Sequence, residues 1–154
     1  RLYLETTIPS YLVARRSRDL RLAADQETTQ QWWESERHDY ELFISQAVVR
    51  EVSRGDANFA AARLGHLRDI PLLPRTPEAS ALITHLLASS IIPAVAEDDA
   101  AHIGLAAAHG MDFLLTWNCR HINNHHIRAR IEQACAAVGL VCPDICTPAE
   151  LMKL

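Results

Sequence analysis

A chain of 154 residues, 49% of them hydrophobic, is the right size for one domain over residues 1–154 with a sizeable core. A formal net charge of −4 argues against wholesale coating of nucleic acid and leaves only local basic clusters for that purpose. There is no signal peptide and no apolar run of membrane-spanning length, so a soluble cytoplasmic protein with no membrane contact is expected.

Taken in order, the chain opens with a short apolar strand, Leu2, Tyr3 and Leu4, with Glu5 at its carboxyl end and Thr6 and Thr7 beyond it. Residues 10–13 read as a short helical turn. Asp19 then caps a long amphipathic helix running to Trp33, in which Trp32 and Trp33 are expected to pack. A second strand is predicted over residues 40–44, and Ser45 is expected to cap a helix that buries Val48, Val49 and Val52 and carries Glu51. Gly55 ends that helix, and Asp56 can cap the next, over residues 57–67. Leu72 and Leu73, between Pro71 and Pro74, make a minimal third strand of the kind tolerated at a sheet edge. Thr76, Pro77 and Glu78 start a helix that continues to about Ser89.

The stretch EDDAAHIGLAAAHGMDFLLTWN, residues 97–118, organises the rest. Asp98 or Asp99 is placed to cap a helix ending near His109, Gly110 suits a left-handed C-terminal cap, and a strand follows over residues 111–116. Such a helix is about 15 Å long and the extended run to Asn118 roughly 20 Å, so Asp99 and Asn118 should meet at the strand's carboxyl end. A histidine-rich loop comes next, then a helix over residues 127–138 ended by Gly139, a last strand over 141–146, and a helix start at Thr147. Strands alternating with helices through short connections predict a three-layer α/β/α sandwich on a mainly parallel sheet.

A parallel sheet puts every strand's carboxyl end on one rim, so Glu5, Glu51, Asp98 or Asp99, and Asn118 should gather there. Crowded carboxylates repel unless a cation compensates them, and hard oxygen donors suit Mg²⁺ or Mn²⁺, ions that can activate water against a phosphodiester. Each residue has a simpler reading. Asp98 and Asp99 serve as helix caps, Glu51 as an exposed helical carboxylate and Asn118 as a turn residue, whereas a charge closing a buried strand, Glu5, needs a partner. His121, His125 and His126 read more often as solvated surface than as phosphate contacts, and His102 belongs at the site's edge or beside the sheet. The four cysteines, Cys119, Cys135, Cys142 and Cys146, lack paired CxxC spacing and read as reduced structural thiols. No Ser-His-Asp or Cys-His order with supporting context is visible, and no glycine-rich phosphate loop occurs.

Four blocks, YLETTIPSYL, FISQAVVREVSRG, EDDAAHIGLAAAHGMDFLLTWN and ICTPAELM, resemble in order and spacing the PIN-domain family, specifically its VapC-like bacterial members. The resemblance implies a metal-dependent endoribonuclease whose acidic quartet binds Mg²⁺ or Mn²⁺. Its first acid falls on Glu5, where the family commonly has Asp, its second on Glu51, and its third on Asp99 with Asp98 adjacent. The fourth falls on Asn118, where many members carry Asp. Thr6 and Thr116 match polar positions that orient ligands. The family further implies RNA as substrate, held here by Arg15, Arg16, Arg18 and Arg21 and by the cluster from Arg120 to Arg130. It also implies a homodimer and an antitoxin protein that reaches the acidic pocket, for which the helix from Asp19 to Trp33 is the expected partner-facing surface. The departures at Glu5 and Asn118 motivate an alternative, a catalytically weakened PIN domain that binds RNA or a protein. A phosphatase or phospho-accepting receiver fits less well, because the first strand does not end in an Asp nucleophile.

Overall fold

The computed structural model describes residues 1–152, so the end of the expected domain range, residues 153 and 154, lies outside the described residues. Five parallel strands form one sheet, β1 (Leu2–Leu4), β2 (Leu42–Ser45), β3 (Leu72–Leu73), β4 (Phe113–Leu115) and β5 (Asp144–Cys146), in the order β3-β2-β1-β4-β5. The helices are α1 (Thr7–Val13), α2 (Leu20–Ser35), α3 (Gln46–Val52), α4 (Ala57–Leu67), α5 (Pro77–Ala88), α6 (Glu97–Ala108), α7 (Arg128–Ala137) and α8 (Pro148–Leu151). They cover both faces of the sheet: α1 packs on α2 and α4, and α2 on α8, while α5 packs on α6 and α7. This is the three-layer α/β/α sandwich expected from the alternation of elements. No helix among the described residues is long and apolar enough to cross a membrane.

The strand order places the site. From β1 the chain moves outward through β2 to the edge strand β3, then returns past both to β4 on the other side of β1 and continues to β5. The sheet's direction of growth therefore reverses between β1 and β4, and open α/β sheets leave a crevice outside the strands' carboxyl ends at such a point. Leu4 stands level with Leu115, and the Glu5 backbone N–H donates to the Leu115 carbonyl at 3.1 Å, so the two strand ends are in register where the crevice opens.

Local chemistry explains several boundaries. Asp19 accepts from the backbone of Arg21 and Leu22, Asp56 from Asn58 and Phe59, and Thr76 from Ala79 ahead of Pro77 at the first helical position. Thr147 and Glu150 form a reciprocal capping box. Gly110 takes φ +60° where α6 ends, the conformation a side chain would oppose. Gly104 serves closeness instead: a Cβ there would lie 2.6 Å from Ile83 Cγ1 and 3.1 Å from the Ala79 carbonyl oxygen, so α6 seats on α5 with no room for a methyl group.

Three expectations are corrected. Neither Asp98 nor Asp99 caps α6, because a 3₁₀ turn, Ala94–Ala96, runs straight into the helix and leaves Ala96 at the cap; both acids lie within the first turn, where the helix dipole favours them. Ser45 holds the cap position of α3, but its hydroxyl bonds Tyr3 rather than the helix backbone. Trp32 and Trp33 are buried as expected, which removes the aromatic end of α2 from the partner-facing surface assigned to that helix. Three strands also begin later than predicted, and β4 starts at Phe113 rather than Met111 because the Met111 N–H still closes the end of α6 on the Ala106 carbonyl. Tyr40 packs edge-on against Phe113 outside β2, and β5 starts only after Pro143, which has no N–H to give a ladder.

Candidate metal centre

Glu5 leaves β1 into a ring of donors that joins the ends of β1 and β4. Its Oε2 accepts from the Thr7 backbone N–H at 3.0 Å, the Thr7 hydroxyl at 2.5 Å and the Thr116 hydroxyl at 2.8 Å. The same hydroxyls accept in turn: Thr7 Oγ1 from the Trp117 N–H and Thr116 Oγ1 from the Asn118 N–H, both at 2.9 Å. Trp117 lies against this ring, stacked on Tyr11 at 6.0 Å between ring centroids, with its indole N–H on Thr29 Oγ1 at 2.8 Å. Glu5 is 4% exposed, and these hydrogen bonds compensate its burial.

Glu51 approaches from α3. Its Oε2 accepts from the Thr6 hydroxyl at 2.6 Å and from His102 Nε2 at 2.8 Å. Burial pushes this carboxyl up, but the hydrogen bonds from His102 and Thr6 and the charges of His102 and Arg54 outweigh it and hold the group below the usual carboxylate range. His102 is fully buried, its Nδ1 2.9 Å from the Tyr3 hydroxyl, which lies 2.6 Å from Ser45 Oγ. The donor order Ser45 to Tyr3 to His102 to Glu51 satisfies every atom of this chain. Burial alone would lower the imidazole pKa; the bond to Glu51 and the charges of Glu5, Glu51 and Asp99 raise it instead.

Asp99 and Asn118 meet as the length argument requires. Asn118 Nδ2 donates to Asp99 Oδ1 at 3.0 Å, and His121 Nδ1 lies 2.8 Å from Asp99 Oδ2. The Asn118 Oδ1 accepts from the backbone N–H groups of Arg120 and His121, at 3.2 and 3.1 Å, and so shapes the turn that brings His121 to Asp99. Asp98 points elsewhere, to Arg50 and Arg54 at 3.4 and 3.5 Å.

One donor atom from each of Glu5, Glu51 and His102 lies within 4.8 Å of the others, a cluster that can hold a metal ion. The carboxylates fit such an ion in a specific way: each is fixed through Oε2 and leaves Oε1 without a hydrogen-bond partner among the described residues. Hard oxygen donors on immobilised side chains are what a divalent cation requires.

A solved structure of FitAB bound to an IR36 DNA fragment matches this chain with a TM-score of 0.60, covering 99% of each chain at 13% identity. The fold is PIN-like. No protein-family model and no curated protein matches the chain.

Within the PIN-like frame two histidines stand closer to the acids than the sequence suggested. His121, read as solvated surface, is half-buried against Asp99, while His125 and His126 are exposed as expected. The signal for His121 is its place three residues after a turn-forming Asn. His102 sits one helical turn beyond Asp99 and so shares its face of α6, a spacing that could have placed it among the acids.

Proposed function

We propose that this chain is a metal-dependent endoribonuclease of the PIN type, hydrolysing RNA phosphodiester bonds with Mg²⁺ or Mn²⁺ held by Glu5, Glu51 and Asp99. The observation that carries the reading is the pair of carboxylates at the sheet's reversal point, each anchored by Oε2 with Oε1 left to offer. A bound divalent ion supplies positive charge that makes water a stronger nucleophile near neutral pH and offsets charge gathering on the phosphate. The protein's own part is positional. Thr7 and Thr116 fix Glu5, Thr6 and His102 fix Glu51, and Asn118 with His121 fixes Asp99, so Asn118 supports the ligand set through its neighbour. Arg50 and Arg54, steadied by Asp98, and Arg120 in the turn give the RNA backbone cationic contacts beside the acids.

The likeness of the sequence blocks to VapC-like proteins supports a toxin role with an antitoxin partner and a homodimer. The structural neighbour, solved with a DNA fragment, supports association of this fold with nucleic acid. A second reading, a weakened PIN domain that binds RNA without cutting it, is favoured by Asp99, whose two oxygens are both engaged by neighbouring side chains. Incubation of a structured RNA with the protein and Mn²⁺ separates the two. Cleavage lost on chelation and abolished by Glu51→Gln and Asp99→Asn is expected; RNA that is bound but left intact at saturating Mn²⁺ selects the second reading.

A further inference from the structure

By proximity His102 is a candidate third ligand, since a ring nitrogen lies among the donor atoms of Glu5 and Glu51. Its hydrogen bonds assign it a different role. A neutral imidazole has one N–H and one lone pair, and both are engaged: Nε2 donates to Glu51 Oε2 at 2.8 Å, and Nδ1 meets the Tyr3 hydroxyl at 2.9 Å. To bind an ion, the ring would have to abandon one of these partners inside a fully buried environment and leave a polar atom there without its bond. In the usual metal site a ligating histidine is held by a carboxylate behind it. The order here is reversed, with the histidine behind the carboxylate.

On the metal-dependent reading above, we infer that His102 is a positioning residue: Tyr3 and Ser45 fix its ring, and the ring fixes Glu51 Oε2 so that Oε1 is presented to the ion. Four elements meet in this relay. Ser45 ends β2, Tyr3 lies in β1, His102 is on α6 and Glu51 on α3, so the relay sets the distance of α3's carboxylate from the strand that delivers Glu5. Thr6 donates to the same Glu51 oxygen and leaves the other one untouched.

The test uses Mn²⁺ as probe and its electron paramagnetic resonance as readout, with His102→Gln, His102→Leu and Tyr3→Phe. The glutamine amide nitrogen lies as many bonds from Cβ as Nε2 and keeps a donor for Glu51, whereas leucine keeps none. Bound Mn²⁺ in the wild type is expected to show no imidazole-nitrogen hyperfine coupling that His102→Gln removes. His102→Leu should weaken Mn²⁺ binding by about tenfold or more, as loss of a group behind a ligand does, and His102→Gln should recover most of that loss. In a Glu51→Gln background, His102→Leu should change nothing further. If the leucine variant does not fold, Tyr3→Phe stands in its place: it should weaken Mn²⁺ binding although its hydroxyl reaches no proposed ligand. Imidazole coupling in the wild type that His102→Gln removes overturns the inference, as does a glutamine variant as weak as a metal-ligand loss, or unchanged affinity in both His102→Leu and Tyr3→Phe. A wild-type chain that takes up no Mn²⁺ overturns the metal reading itself and this inference with it, and is distinct from an intact site that His102 does not govern.

Discussion

Asn118 donates its side-chain amide to Asp99 across 3.0 Å while its own carbonyl oxygen closes the turn to Arg120 and His121. Asn118→Asp keeps the turn's acceptor, removes the donor and brings two carboxylates together. In EDTA the variant should be less stable by about 1–3 kcal/mol, the range for a lost partly buried hydrogen bond. Added Mn²⁺ should raise its Tm by more than it raises that of the wild type, because the extra negative charge both destabilises the metal-free fold and attracts the ion. Equal melting temperatures in EDTA would show that the clamp on Asp99 contributes nothing.

Thr116 is fully buried, and its hydroxyl both donates to Glu5 and accepts from the Asn118 backbone. Thr116→Val keeps the shape, leaves the Asn118 N–H unmet and leaves Glu5 held by Thr7 alone, at a cost of about 1–3 kcal/mol in urea unfolding. Thr116→Ser retains the hydroxyl and should retain Mn²⁺ affinity, which Thr116→Val should reduce by freeing Glu5. A valine variant as stable as the wild type, with unchanged Mn²⁺ affinity, would contradict this account.

Gly104→Ala should destabilise by about 1–3 kcal/mol through overpacking against Ile83. Ile83→Ala removes the atoms nearest the new methyl group, so the double variant should lose less than the sum of the two single losses. Strict additivity in denaturant titrations would place the cost elsewhere.

Glu150 Oε2 accepts from the Thr147 backbone at 2.7 Å, the Thr147 hydroxyl at 3.0 Å and Asn123 Nδ2 at 3.1 Å. Burial raises this carboxyl's pKa, but those bonds and the Arg128 charge outweigh it and hold the folded-state value below the ordinary one. A depressed folded pKa contributes stability that is fully present above the unfolded value and is lost as pH falls through the folded one. Glu150→Gln should therefore lie below the wild type in Tm near neutral pH, and the gap should close on acidification through and below the ordinary carboxylate range. Solvent exposure keeps the effect small. A gap that stays constant with pH would remove Glu150 from the acid limb.

The caps at Asp19, Asp56, Thr76 and Thr147 were legible because each side chain bonds backbone a few residues ahead of itself. Ser45 has the same local signature, yet its hydroxyl meets Tyr3 from another strand, a contact that no window of sequence contains. The site divides along the same line. Glu5, Glu51 and the meeting of Asp99 with Asn118 follow from one rule about the carboxyl ends of parallel strands, and matched lengths of helix and strand supply the register. The pairing of Asp98 with Arg50 and Arg54 and the insertion of His102 between Tyr3 and Glu51 depend on how α3 sits against α6. That seating follows from side-chain packing between helices distant in sequence, and periodicity carries no record of it.

Trp117 gives the molecule an optical reporter of its own. Trp32 and Trp33 are buried in the core, whereas Trp117 is half-buried, adjoins Asn118, stacks on Tyr11 and shares the Thr7 hydroxyl with Glu5. A change in charge at Glu5 reaches the Trp117 backbone N–H through two hydrogen bonds by way of the Thr7 hydroxyl, beside an indole whose environment is unlike that of the other two. Its emission can therefore follow occupancy of the acidic crevice without a label, and Trp117→Phe provides the blank.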